Sequence, residues 1–252
     1  MNSRRLTFEG ANGDQLAARL DMPDAPPTAC ALFAHCFTCS KDLKAVGRIS
    51  KALTSEGIGV LRFDFTGLGE SEGDFADTGF ASNVEDLVAA ARFLEREVGT
   101  PRILVGHSLG GAAVIQAAHE IEGATAVATI GAPADPVHVE HLLGDAREVI
   151  ERDGEAKVTI GGRPFLVRRK FLDDLDGARQ TERIRTLGRP LLIFHSPVDT
   201  IVGIENAAMI FEAARHPKSF VSLDRADHLL TGPDDADYVG RVLAAWSRKY
   251  IN

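Results

Sequence analysis

The chain has 252 residues, 44% of them apolar and 25% charged, with a formal net charge of −8. That is enough apolar material for a substantial core and argues against disorder, so one domain over residues 1–252 is expected. An acidic balance and scattered aromatics leave no footprint for nucleic acid. No apolar run reaches the ~20 residues of a membrane span, and none follows the arginines of "MNSRRLTFEG" as a signal sequence would, so a cytoplasmic protein without a membrane partner is expected.

In chain order, "RRLTFEG" and "DQLAARLDMP" flank the turn "ANGD" and read as a hairpin of Arg4 to Glu9 with Gln15 to Asp21. The segments "TACALFAHCF", "GIGVLRFDF", "RILVGH", "ATAVATIGA", "RPLLIFHS" and "KSFVSL" are short, apolar and rich in branched residues, as buried strands are. Between them, "DLKAVGRISKALTSEG" repeats apolar residues at helical spacing and stops at Gly57. "SNVEDLVAAARFLEREVG" predicts a helix capped by Ser82, with Glu85 at the capping-box offset. "GIENAAMIFEAARH" and "DADYVGRVLAAWSRKY" are helical by the same pattern. Strands alternating with helices predict a mainly parallel sheet. One connection is too long for a simple crossover, at roughly fifty residues, and contains a hairpin signal in "KVTIGGRPFLV" that turns at Gly161 and Gly162. Residues 136–187 therefore read as an inserted cap.

The segment "RILVGHSLGGAAVIQAAH" is a strand, a tight turn and a helix in immediate succession, with Ser108 at the turn. A turn this sharp exposes the serine Oγ, and glycine at 106 and 110 relieves the contacts that larger residues would make with neighbouring chain. The hydroxyl also meets a helix N-terminus, where free amides favour developing negative charge. An incidental serine in a glycine-rich turn is the bland alternative, and the flanking strand and helix disfavour it.

A serine nucleophile requires a base and an orienting carboxylate, which in this arrangement follow later in the chain. "LLIFHSPVDTIVG" ends a strand and presents Asp199 in the next loop. "FVSLDRADHLL" ends the last strand and presents His228. Both fall at the carboxyl edge of the sheet, on the side of Ser108. Among the eight histidines, His107 adjoins the serine on a sharp turn and reads as pocket wall. His35 and His195 end strands and are candidate lining residues, while His119, His138, His141 and His216 read as solvated surface. Asp227 sits too close in sequence to support the His228 ring, Asp64 reads as an anchor for the loop that follows it, and Asp135 is the rival to Asp199. An oxyanion hole is expected from the backbone N–H of Leu109 and of Phe37, in a loop that carries Cys36 where glycine would be more permissive.

The three cysteines, Cys30, Cys36 and Cys39, are an odd set near one strand. Cys36 and Cys39 form a C-x-x-C pair without the second pair that a zinc site needs, so no metal is expected and two buried thiols beside the site are the preferred reading.

Taken together, "GHSLGG", "DFTGLGESEG", "HSPVD" and "ADHLL" resemble the α/β-hydrolase superfamily along the whole chain. "AHCFTCSKD", "RFDFTGLGESEGDF", "IGAPADP" and "HPKSFVSLDRADHLL" further resemble bacterial hydrolases that are often fused to a C-terminal OsmC-like domain. The resemblance implies an α/β fold with a mostly parallel twisted sheet of about eight strands, helices on both faces and an inserted cap. It implies a serine hydrolase that uses Ser108, His228 and Asp199, foremost a carboxylesterase for small esters, with no cofactor. Thioesterase, peptidase or amidase activity needs the same residues and stays open, as does a non-catalytic scaffold for an OsmC-like partner. A dehalogenase would carry aspartate at position 108. The rather polar cap sequence "FLVRRKFLDDLD" points away from an interfacial lipase, and a homodimer that buries apolar cap positions such as Leu142, Leu143, Phe165 and Leu172 is a further expectation.

Overall fold

The computed structural model of the protein describes residues 2–36, 39–160 and 162–251. β1 (Asn2–Glu9) and β2 (Gln15–Met22) pair antiparallel across the predicted turn. β3 (Ala29–Ala34), α1 (Lys44–Ser55), β4 (Ile58–Phe63), α2 (Phe80–Glu97), β5 (Pro101–His107), α3 (Leu109–Ala117) and β6 (Ala126–Ile130) then alternate strand with helix. Between β6 and the next strand of the sheet come a 3-10 stretch, Pro136–Leu143, then α4 (Ala146–Asp153), the hairpin β7 (Glu155–Ile160) and β8 (Arg163–Arg168), α5 (Arg169–Asp176) and α6 (Gln180–Arg185). β9 (Leu191–His195), α7 (Glu205–Ala213), β10 (Lys218–Ser222) and α8 (Pro233–Ser247) complete the fold.

Among the described residues the sheet has eight strands in the order β1-β2-β4-β3-β5-β6-β9-β10. The β1–β2 and β2–β4 pairs are antiparallel and every other pair is parallel. β3, β4, β6 and β9 are buried along their whole length, because helices cover both faces there and leave no polar side to alternate with. One apolar cluster joins α1 and α8 to a face of the sheet, through Val46, Ile49, Leu53, Val239 and Leu243. The opposite cluster joins α2, α3 and α7, and it runs on into residues 136–187 through Leu143, Ile150, Val158, Phe171 and Leu175. At ~25 cal/mol per Å² of apolar surface, side chains of this size stabilise the fold by about 1.5–3 kcal/mol each when fully buried.

The structure departs from the sequence pattern at α2, at β10 and at two cap leucines. α2 begins at Phe80 rather than after Ser82, and Ser82 works from inside the first turn, where its Oγ accepts from the Gly79 N–H at 2.9 Å. The serine thus satisfies a free first-turn donor without being the cap residue itself. β10 is only half covered, with Phe220 44% exposed, because it is an edge strand of the sheet. Leu143 and Leu172 are buried within their own chain, so these two offer no apolar surface to a second copy.

The strand order places the site. The chain passes from β3 outward to β4, then returns to the other side of β3 for β5, which leaves a crevice at the carboxyl ends of neighbouring β3 and β5. The loops after β3, β5 and β9 and the loop before α8 all open towards that crevice.

Candidate active site

Ser108 stands between β5 and α3 with φ 55° and ψ −127°, a left-handed conformation that is costly for a residue with a side chain. The surrounding backbone holds it there: the Ser108 N–H donates to the Ile130 carbonyl at 2.8 Å, and the Ser108 carbonyl accepts from the Gly111 N–H at 2.8 Å. Both flanking glycines are required by close approach. A Cβ at position 106 would collide with the Gly110 carbonyl, and one at position 110 would lie 2.5 Å from the His35 carbonyl oxygen.

The three residues singled out by the sequence meet in space. His228 Nε2 is 3.0 Å from Ser108 Oγ, and His228 Nδ1 is 2.7 Å from Asp199 Oδ2. Asp199 can only accept when ionised, so it takes the proton on Nδ1 and leaves the Nε2 lone pair facing the serine hydroxyl. The other carboxylate oxygen, Oδ1, accepts from the amides of Ile201 at 2.8 Å and Val202 at 3.0 Å. Burial alone would raise the Asp199 pKa, but the bond from His228 and the two amides outweigh it and hold the group below the usual carboxylate value. Gly131, at φ 53°, opens space for this pair; a Cβ there would lie 3.2 Å from Asp199 Oδ2.

Three buried histidines form a supporting layer rather than the expected wall of the pocket. His107 donates from Nε2 to the His228 carbonyl at 2.7 Å, and burial drives its pKa down to about 3, so its ring is neutral. His35 is 1% exposed, and its Nδ1 donates to the Cys36 carbonyl at 2.8 Å. Burial lowers its pKa as well. His195, fully buried, donates to the Val202 carbonyl at 2.8 Å and thereby braces the turn that offers its amides to Asp199. Of the expected lining residues, only Cys36 borders the cavity above Ser108. Leu109 opens α3, where first-turn amides have no helical partner; Phe37, the other expected oxyanion donor, lies outside the described residues.

Rival residues fall elsewhere. Asp135 Oδ1 accepts from the Val137 amide at 3.0 Å and starts the 3-10 stretch, while Asp227 Oδ1 accepts from the Thr231 amide at 3.0 Å. His138 and His141, read from sequence as solvated surface, also border the cavity, because residues 136–143 fold back over the crevice, and His141 stays exposed there. Arg163 also borders it, carried there by the β7–β8 hairpin. Nothing in the local pattern of these three residues marked them, since their placement depends on how the long connection folds back.

The cavity has a volume of about 430 Å³, with Ser108 and His228 in its wall and Val139, Ile160 and Ile201 among its apolar neighbours. Cys36 and Cys39, expected as thiols, are joined in a disulfide with Cα atoms 5.3 Å apart. The turn that closes with the Cys39 N–H on the Cys36 carbonyl, at 3.0 Å, brings the two sulfurs into reach.

A serine at the strand-to-helix turn of a mostly parallel eight-stranded sheet, with histidine and aspartate delivered by later loops, defines the α/β-hydrolase class. The chain belongs to the Alpha/beta hydrolase family, which matches residues 31–248. It is similar to the esterase domain of a Rhodothermus marinus protein, at 55% identity over 100% of both chains and a TM-score of 0.83. Est1E from Butyrivibrio proteoclasticus, solved with ferulic acid bound, shares the fold at 20% identity, with 98% of this chain and 99% of that one covered and a TM-score of 0.84. The uncharacterized protein YfhR of Salmonella typhimurium is 23% identical over 228 residues, which are 89% of this chain and 74% of that protein. Among the described residues no helix is long and apolar enough to cross a membrane.

Proposed function

We propose that the protein is a serine carboxylesterase for small esters, with Ser108 as nucleophile, His228 as general base and acid, and Asp199 as the residue that orients His228. The observation that carries this reading is the continuous hydrogen-bonded path from Ser108 Oγ through His228 to Asp199, at 3.0 Å and 2.7 Å, beside a 430 Å³ cavity. In the proposed cycle His228 takes the hydroxyl proton as Oγ attacks the ester carbonyl, and Asp199 stabilises the resulting imidazolium. The amides of Leu109 and Phe37 receive the oxyanion. His228 then protonates the leaving alcohol, and a water molecule, deprotonated by the same ring, releases the acid from Ser108.

Residues 136–187 serve in this reading as a cap whose Val139 and Ile160 meet the apolar part of the ester. A cavity of this size suits a short acyl chain or a small aromatic acid better than a long lipid. The esterase domain similar to this chain at 55% identity lends support to the ester class.

Hydrolysis of p-nitrophenyl acetate, butyrate and octanoate by the wild type and by Ser108→Ala tests the proposal. The mutant is expected to lose on the order of 10⁶ in kcat while keeping its circular dichroism spectrum, and the wild type to favour the shorter esters. Equal slow rates in both proteins would refute it.

A further inference from the structure

We propose that the Cys36–Cys39 disulfide is a thiol–disulfide exchange site for small thiols, reached through the same cavity that exposes Ser108. Both cysteines border that cavity. They differ in access, since Cys39 is half-buried and Cys36 is 4% exposed. An incoming thiolate therefore meets Cys39 first, and Cys36 is the sulfur displaced.

The surroundings suit that assignment. Cys36 shares a small cleft with Leu109 and Gly110, the first residues of α3, so a thiolate formed on it lies beside the amino end of a nine-residue helix. Free amides and the helix dipole at such an end stabilise a thiolate and make it a better leaving group. A purely structural role accounts poorly for the bond, because a sequence separation of 3 closes so small a loop that it restrains the unfolded chain little. The remaining cysteine, Cys30, has no such access: it is buried in β3, and burial raises its thiol pKa to about 11.

In the first step the thiolate attacks Cys39 Sγ. A bond forms between the two sulfurs, the Cys36–Cys39 bond breaks, and its electron pair leaves on Cys36 as a thiolate. A second thiol then attacks the sulfur of the bound small molecule and releases a small-molecule disulfide and the Cys39 thiolate. Two thiols have been oxidised to one disulfide, and the cysteine pair has taken up two electrons and two protons. The reverse sequence, with a small disulfide as oxidant, restores the bond.

The test uses the full chain under native conditions with reduced and oxidised glutathione as probes, alkylated in the folded state with N-ethylmaleimide and mapped by mass spectrometry. It reads sulfur chemistry alone, so it stands or falls separately from the ester reading. Reduced glutathione is expected to open the native disulfide and make Cys36 and Cys39 alkylatable while Cys30 stays unlabelled, and oxidised glutathione to close it again. The variant Cys36→Ser is expected to accept a glutathione adduct on Cys39 from oxidised glutathione roughly tenfold faster than Cys39→Ser accepts one on Cys36. A disulfide that yields to glutathione only after denaturant unfolds the chain would overturn the proposal, as would a pair that oxidised glutathione cannot re-form. Should either variant fail to fold, the wild-type titration alone still decides the matter.

Discussion

His107 donates from Nε2 to the carbonyl oxygen of His228 at 2.7 Å, so the residue before the serine holds the loop that carries His228. The ring is buried and neutral, and burial is the main reason its pKa falls from 6.5 to about 3, with the nearby His228 adding to the effect. A histidine depressed in this way contributes its full stability above the unfolded value and loses it as the pH falls towards the folded one. The window runs from 6.5 down to about 3. Each pH unit within it costs up to roughly 1.4 kcal/mol for one group. Urea unfolding at several pH values in that window is expected to show stability declining with acid in the wild type and a shallower decline in His107→Gln. Parallel slopes in the two proteins would mean that the ring is reached by protons without unfolding.

Asp199→Asn is expected to keep the fold and lose on the order of 10⁴ in kcat. The amides of Ile201 and Val202 both point at Oδ1, so the asparagine carbonyl is drawn to them and its NH₂ group turns to His228 Nδ1. That donor forces the proton of the neutral ring onto Nε2, where it can no longer accept from Ser108 Oγ. Steady-state rates on p-nitrophenyl butyrate, with circular dichroism as the control for folding, measure the effect. A loss below about tenfold would show that the ring is oriented chiefly by other contacts.

Gly131→Ala places a methyl group 3.2 Å from Asp199 Oδ2 and 3.4 Å from His228 Nδ1, at a φ of 53° that alanine adopts at a cost. The expected result is a fall in kcat of roughly ten- to a hundredfold with KM nearly unchanged, since the methyl displaces the His228 ring and leaves the apolar side of the cavity, at Val139, Ile160 and Ile201, intact. Unaltered kcat would indicate that the loop carrying His228 shifts without losing its alignment.

How much of this was legible in the sequence depended on how local the cause was. Ser108 announced itself because its two glycines sit where backbone meets backbone, a constraint written within a few residues. Asp199 and His228 could be found because each follows a strand of the parallel part of the sheet, β9 and β10, and the ends of such strands come out at one edge. Asp64 was legible in part: it holds the following loop through the Glu70 amide at 2.9 Å, but its second role, on Lys41, joins two loops and left no periodic trace. The Cys36–Cys39 spacing was visible, whereas the turn that brings the sulfurs together was not. His138, His141 and Arg163 reach the cavity only through the path of residues 136–187, which is set by packing on the core and not by local preference.

That second role of Asp64 ties the loop after β3 to the loop after β4. Lys41 is 1% exposed, and its Nζ donates to Asp64 Oδ2 at 2.7 Å and to Glu70 Oε2 at 2.6 Å. Its backbone N–H adds a bond to Asp64 Oδ1 at 2.6 Å. Burial by itself would lower the lysine pKa, yet the carboxylates outweigh it and the ammonium is held above its ordinary value. Glu70 is exposed to water, so solvent screens its share and the pair with the fully buried Asp64 matters more. In Lys41→Met the lysine stem is replaced by a side chain of similar reach, and the fully buried Asp64 loses its buried counterion. Removing one partner from such a pair costs about 3–5 kcal/mol, because the remaining charge is neither solvated nor neutralised. Asp64→Leu in the same chain is not expected to recover the loss, since the amides of Lys41 and Glu70 would then have no acceptor. Urea unfolding of the single and double variants measures both effects. A single-variant loss below about 1 kcal/mol would mean that water reaches Asp64 once the lysine is gone, and that the loop after β3 is held by its backbone bonds alone.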